Sequence, residues 1–235
     1  MLKNKTYFVT GSSSGIGRAV SESLLQNGAK VIGLSRKKGD FEKSKNYFHH
    51  EIDLSDLKTN YNEFLKILLN YAKIDGLISN AGNGVFQSLE NFSPSQIDQF
   101  IKLNLTSHII LTRALLPHLK NNNNGNIIFI GSEAALNGKK YGSLYSSCKF
   151  GLRGFSKSIR EECANSNIKV TIINPGMVET PFFEKLNFSP GKNVGEFIES
   201  SDIGRIILNI LNYGDGTVID EVNLSPLKKV IKFDK

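Results

Sequence analysis

Apolar residues along this chain fall into short unbroken runs, separated by stretches in which they recur every three or four positions. The first run, TYFVTG at 6–11, is rich in β-forming residues and ends in glycine. Ile16, Ala19, Val20 and Leu24 then repeat at helical spacing, with Asn27-Gly28 as a stop, which predicts a helix over about 16–26. Strands follow at KVIGLS (30–35) and YFHHEIDLS (47–55), then a helical stretch around 61–71 and a strand at IDGLISNAG (74–82). One long helix is predicted over about 94–119, then a strand at NIIFIGS (126–132) and a helix over 143–164. KVTIINPG (169–176), a helix at SSDIGRIILNILN (200–212) and a last strand at GTVIDEVNL (216–224) complete the series.

An unbroken apolar strand needs cover on both faces, and helices between successive strands provide it in a parallel sheet. The pattern therefore predicts an α/β fold, a doubly wound parallel sheet with helices on both sides. No linker or internal repeat interrupts it. The polar patch NNNNGN at 121–126 reads as a turn before a strand. One domain over 1–235 is the expected organisation, at a length that α/β folds reach as a single unit.

Composition narrows the classes. With 40% hydrophobic and 22% charged residues the chain reads as an ordinary globular protein. No apolar run approaches the ~20 residues that span a bilayer, so no membrane partner is expected. The start, MLKNKTYFVTG, has no long apolar region and no small-residue cleavage site, so a cytoplasmic protein without a leader is expected. The two cysteines, Cys148 and Cys163, fall on one predicted helix. Fifteen residues of helix part their Cα atoms by roughly 22 Å, too far for a disulfide, and without a Cys/His cluster no metal site is expected. The formal charge of +7 raises nucleic acid as a partner. The basic residues are scattered, with runs no longer than Arg36-Lys37-Lys38, and no nucleic-acid-binding motif is present, so a solvated basic surface is the reading.

The candidate chemistry begins after the first strand, at TGSSSGIG: Thr10, Gly11, three serines, Gly15, Ile16, Gly17. A glycine turn between a strand and a helix lets a pyrophosphate approach the backbone and meet the free N–H groups of the helix start. The spacing is G-x-x-x-G-x-G, and in isolation a flexible loop would look the same. Further along stand SNAG (79–82), Ser132, YSSCK with Tyr145 and Lys149 four apart, and NPGMVET (174–180). In this order and spacing the motifs resemble the short-chain dehydrogenase/reductase family, over about residues 5–224.

That resemblance implies a Rossmann-fold domain and an oxidoreductase moving a hydride between a nicotinamide cofactor and a carbonyl or secondary alcohol. It assigns proton exchange with the substrate oxygen to Tyr145. Lys149 is implied to lower the tyrosine pKa and bind the nicotinamide ribose, Ser132 to hydrogen-bond the substrate oxygen, and Asn104 to hold a relay water. An asparagine inside a helical pattern is itself a mild misfit, because its amide competes with the backbone. For the cofactor the resemblance implies Gly11, Ser13, Ser14, Gly15, Ile16 and Gly17 at the phosphates. It implies Asp53 and Leu54 at the adenine, and Asn80, Ala81 and Gly82 at the adenosine side. Tyr145, Lys149, Pro175, Gly176, Val178 and Thr180 are implied at the nicotinamide side.

The second strand ends in Ser35-Arg36 with no acid until Asp40. An acid there would accept from a ribose 2′-hydroxyl, whereas a guanidinium binds a 2′-phosphate. NADP(H) is therefore favoured over NAD(H), with Ser14 as an added donor. The same machinery using NAD(H) in the oxidising direction stays open, as does a non-catalytic dinucleotide-binding regulator. The stretch 181–200 corresponds to the family's substrate loop, where Phe182, Phe183, Leu186 and Phe188 line a pocket or merely anchor the loop. The family's Asp-Gly-Gly-like turn after the last strand is missing, and VIDEVNLSPLKKVIKFDK stands instead. A homodimer or homotetramer pairing the 94–119 and 143–164 helices is the implied assembly.

Overall fold

The computed structural model describes residues 2–41 and 44–233. Its centre is a seven-stranded sheet built from β1 (Thr6–Thr10), β2 (Lys30–Ser35), β3 (Tyr47–Glu51), β4 (Gly76–Ser79), β5 (Gly125–Ile130), β6 (Ile168–Pro175) and β8 (Glu221–Leu224). The strand order is β3-β2-β1-β4-β5-β6-β8, and every pair is parallel. This is the doubly wound architecture that the apolar runs predict.

Both faces are covered because successive side chains of a strand point to opposite sides. Tyr7 and Val9 of β1 join Val20 and Leu24 of α1 (Gly15–Gln26) and Ile203, Ile207 and Ile210 of α6 (Ser200–Leu211) in one core. Phe8, between them, joins the opposite core. There Phe64 and Leu68 of α2 (Leu57–Leu69) meet Leu111 and Leu115 of α4 (Ser107–Asn121), and Leu152 and Ile159 of α5 (Ser143–Cys163). The strand order reverses between β1 and β4, which opens a crevice beyond their carboxyl ends where ligands of such sheets bind.

Three elements differ from the sequence reading. The expected helix over 94–119 is interrupted: α3 (Pro94–Ile101) and α4 are joined by a π-turn at Lys102–Thr106. The cause is Asn104, whose side chain donates to the Phe100 carbonyl at 3.1 Å and so competes with the regular ladder. The last sheet strand is only Glu221–Leu224, because its partners on β6 run from Ile172 to Pro175. A second, two-stranded sheet pairs β7 (Phe188–Pro190) with β9 (Ile231–Phe233), antiparallel. Each has only three residues, too few for period-two alternation to show. Among the described residues no helix is long and apolar enough to cross a membrane. Cys148 and Cys163 are free and buried, as the helix geometry requires.

Candidate active site

The glycine turn lies at the mouth of the crevice. Gly11 and Gly15 hold φ of +64° and +52°, in the left-handed region where a side chain is strained. A Cβ on Gly17 would stand 2.2 Å from the Gly11 carbonyl oxygen, so no other residue fits there. Ser14 caps α1 without a side-chain bond to its backbone, which leaves both the hydroxyl and the helix N–H groups free for a ligand. A groove of about 360 Å³ runs from Ser13, Ser14 and Gly15 past Arg18 to Thr180 and Pro181. Backbone donors, a helix start and a cradle that Cβ atoms would fill suit the pyrophosphate of a dinucleotide.

The ends of β1 and β4 are joined by Thr10, the motif residue to which the sequence assigns no role. Thr10 Oγ1 accepts from the backbone N–H groups of Asn80 and Ala81, both at 2.8 Å, and Asn80 Nδ2 donates to the Thr10 carbonyl at 2.9 Å. Its only sequence signal is a threonine just before the first glycine. Ser12, which carries no sequence signal of its own, is buried and bonds to Tyr47 on β3 at 2.9 Å. Asn104 closes the next turn: its Oδ1 accepts from the Asn83 N–H at 3.1 Å and its Nδ2 donates to Asn83 Oδ1 at 2.9 Å. A Cβ on Gly82 would stand 2.8 Å from that Oδ1. Asn104 is fully buried, so the π-turn trades regular helix bonds for a fixed amide beside the cofactor crevice.

Tyr145 and Lys149 share one face of α5. The Lys149 ammonium donates to the Ile130 carbonyl at 3.0 Å and lies 5.7 Å from the centre of the Tyr145 ring. Ser132 begins a 3₁₀ turn after β5, where its hydroxyl accepts from the Ala134 N–H at 3.1 Å. Phe86 and Phe182 pack on Tyr145 with ring centres 5.2 and 6.0 Å away.

Burial pushes Tyr145 up to about 12. The Ser132 hydroxyl works against the rise, while Cys148 and Glu133 add to it. Burial also pulls Lys149 down to about 8. The aromatic cover that raises one group belongs to the same dry environment that lowers the other. Nearby His108, absent from the sequence reading, is fully buried and pulled down to about 3 by burial and by Lys149. Neutral, it shares a 2.7 Å hydrogen bond with Ser79.

The remaining candidates scatter more widely. Arg36 is exposed just past β2, and among the described residues it forms no ion pair. Asp53 holds the start of a short turn: its Oδ1 accepts from the Ser55 N–H at 2.9 Å and the Ser55 hydroxyl at 2.7 Å. Slight burial opposes its ionisation, yet those bonds and nearby Arg36 keep the carboxyl below its usual range. Leu54 sends its side chain into the core, which leaves only its backbone available to a cofactor. Ile16 packs against the α1/α6 core from the glycine turn. Pro175 ends β6 and the Gly176 N–H donates to the Leu224 carbonyl at 2.8 Å. Val178 is buried and bridged to Ile198, and the Thr180 hydroxyl donates to the Val178 carbonyl at 3.3 Å.

A family model described as short chain dehydrogenase matches residues 5–190. The 3-oxoacyl-(acyl-carrier-protein) reductase FabG of Buchnera aphidicola is 34% identical over 191 residues, 79% of this chain and 78% of the relative. An uncharacterized oxidoreductase of Staphylococcus epidermidis is 26% identical over 231 residues, 96% of this chain and 99% of its own. Among solved structures, a metagenomic short-chain oxidoreductase in complex with NADP superimposes with a TM-score of 0.81 at 27% identity. The match covers 97% of this chain and 99% of that one.

Proposed function

The chain belongs to the short-chain dehydrogenase family of oxidoreductases, and on that footing we propose that it reduces a carbonyl compound at the expense of NADPH, with Tyr145 as the general acid. The glycine turn from Gly11 to Gly17 would hold a nicotinamide dinucleotide, which would supply the hydride. Tyr145 delivers its phenolic proton to the carbonyl oxygen, and Ser132 orients that oxygen by donating a hydrogen bond to it. The observation that carries this reading is the convergence of Tyr145, Lys149 and Ser132 past the end of β5, with the Lys149 ammonium 5.7 Å from the centre of the Tyr145 ring and bonded to the Ile130 carbonyl. Lys149 faces the phenolate that the transfer leaves behind and stabilises it by charge. Asn104 fixes the turn after β4 through its two bonds to Asn83.

For the cofactor, the support is Arg36 at the end of β2, exposed and without an ion-pair partner among the described residues, in place of the acid that an NAD site carries there. The NADP in the metagenomic relative accords with it. Titration of the protein with NADPH and NADH tests this part. The wild type is expected to bind NADPH at least about tenfold more tightly, and Arg36→Asp to lose that preference through like-charge repulsion of the 2′-phosphate. Equal affinities in the wild type would refute the assignment.

Pairing of two chains across α4 and α5 is part of the same proposal. An open groove of about 530 Å³ on those helices, lined by Leu116, Phe155, Arg113 and Glu162 among others, supports it.

A further inference from the structure

The chain continues past β8, beyond the residues the family model matches. A Cβ on Gly176 would meet Pro226 at 3.1 Å, so the tail leaves the sheet directly over the end of β6. The Lys228 N–H then donates to the Gly195 carbonyl at 2.7 Å, and the Gly191 N–H donates to the Val230 carbonyl at 3.2 Å. β9 pairs with β7 in the register Phe188 with Phe233, Ser189 with Lys232 and Pro190 with Ile231. The tail thus grips both arms of the loop that follows Thr180.

Two further links run from the tail to the reacting centre. Lys229 Nζ lies 3.5 Å from one carboxylate oxygen of Glu133, the residue after Ser132, and Lys139 Nζ lies 3.0 Å from the other. The Phe233 ring is 6.4 Å from Phe188, Phe188 is 5.0 Å from Phe86, and Phe86 is 5.2 Å from Tyr145. One line of contacts is ionic and the other aromatic, and both end beside the proposed proton donor.

We propose that the tail, residues 225–233, is a strap that holds the substrate loop closed over Tyr145, and that the closed site takes an uncharged carbonyl compound with an aromatic or branched apolar body. This rests on the reductase reading above. Phe86 and Phe182 already pack on Tyr145, and Phe188 extends that wall, so the substrate body meets rings rather than polar groups. Glu133, beside Ser132, has its charge answered by two lysines. A charged group on the substrate would shed its water against Phe86, Phe182 and Phe188, a penalty that a neutral molecule avoids. A three-residue, two-stranded ladder is weak by itself, and all three residues of β9 are exposed. The strap can therefore open to admit substrate and close again behind it.

The test uses Lys232→Pro, which removes a backbone donor from β9 at an exposed position remote from the chemistry. Hydrogen exchange is read at the Ser189 and Gly191 amides, and kinetics are read with acetophenone and with its carboxylate-bearing counterpart benzoylformate. In the wild type the amides are expected to be protected and acetophenone to be favoured about tenfold in kcat/KM. In Lys232→Pro the protection should vanish and the acetophenone KM rise about tenfold, with NADPH affinity within about twofold of wild type. Unprotected wild-type amides, or an unchanged KM once protection is lost, would overturn the strap. A preference for benzoylformate would overturn the substrate class. If no ketone at all is turned over, the failure falls on the reductase reading, and the exchange data still decide for or against the strap.

Discussion

Tyr145→Phe is expected to lower turnover of any carbonyl substrate by roughly 10³-fold, within the range that a positioned proton donor contributes, while NADPH affinity stays within about twofold of wild type. The substitution deletes one oxygen and keeps the ring. That ring packs on Phe86, Phe100 and Phe182, so the aromatic cluster and α5 should be undisturbed. The hydroxyl contributes at most its bond with Ser132, so the melting temperature should fall by no more than about 5 °C. The change therefore separates chemistry from folding and from binding. Steady-state kinetics beside a cofactor titration read it. A Tyr145→Phe protein that turns over normally would remove the proton donor from the account, and one that fails to bind NADPH would make Tyr145 a binding residue instead.

Lys149→Met should cost nearly as much, by a different route. The ammonium is buried with one hydrogen-bond partner among the described residues, the Ile130 carbonyl, and burial pulls it down to about 8. Methionine keeps the length of the side chain and removes a buried charge, at the cost of one unpaired Ile130 carbonyl, so the variant should fold and melt within several degrees of the wild type. Turnover should drop by about 10²- to 10³-fold, because the phenolate left after proton transfer loses its countercharge. The same cause sets a pH limit in the wild type. Lys149 carries its charge below about pH 8 and loses it above, so kcat/KM for reduction should decline on the alkaline side of that value. Full activity in the Lys149→Met variant, or a wild-type profile flat well beyond about pH 8, would exclude the role.

The parts of this structure legible in the sequence are those in which one residue type answers one local demand. Gly17 is readable because any Cβ would strike the Gly11 carbonyl, and the unbroken runs of β1, β5 and β6 because a two-sided core needs them. Asn104 announces itself as a polar amide in a helix, and the π-turn is what that amide does to the ladder. Other features depend on what the fold brings from far away. Thr10 gains its task only when β4 arrives with Asn80 and Ala81, 70 and 71 positions on. Glu133 is an ordinary surface acid until Lys229 returns to it from the tail. β7 and β9 are too short to show a period, and each exists only because of the other. The aromatic cover of Tyr145 escapes the sequence for the same reason: Lys149 is four residues away along the chain, but Phe86 and Phe182 are not.

The proposed reaction passes a hydride from NADPH to a carbonyl carbon while Tyr145 protonates the oxygen. The most direct measurement incubates the purified protein with NADPH carrying deuterium at the transferable nicotinamide position and a panel of uncharged ketones and aldehydes, then analyses the alcohols by mass spectrometry. The account predicts an alcohol with one deuterium on the carbinol carbon, formed by the wild type and not detectably by Tyr145→Phe over the same time. Tight binding of NADPH with no deuterium delivered to any carbonyl, or equal delivery by Tyr145→Phe, would contradict it.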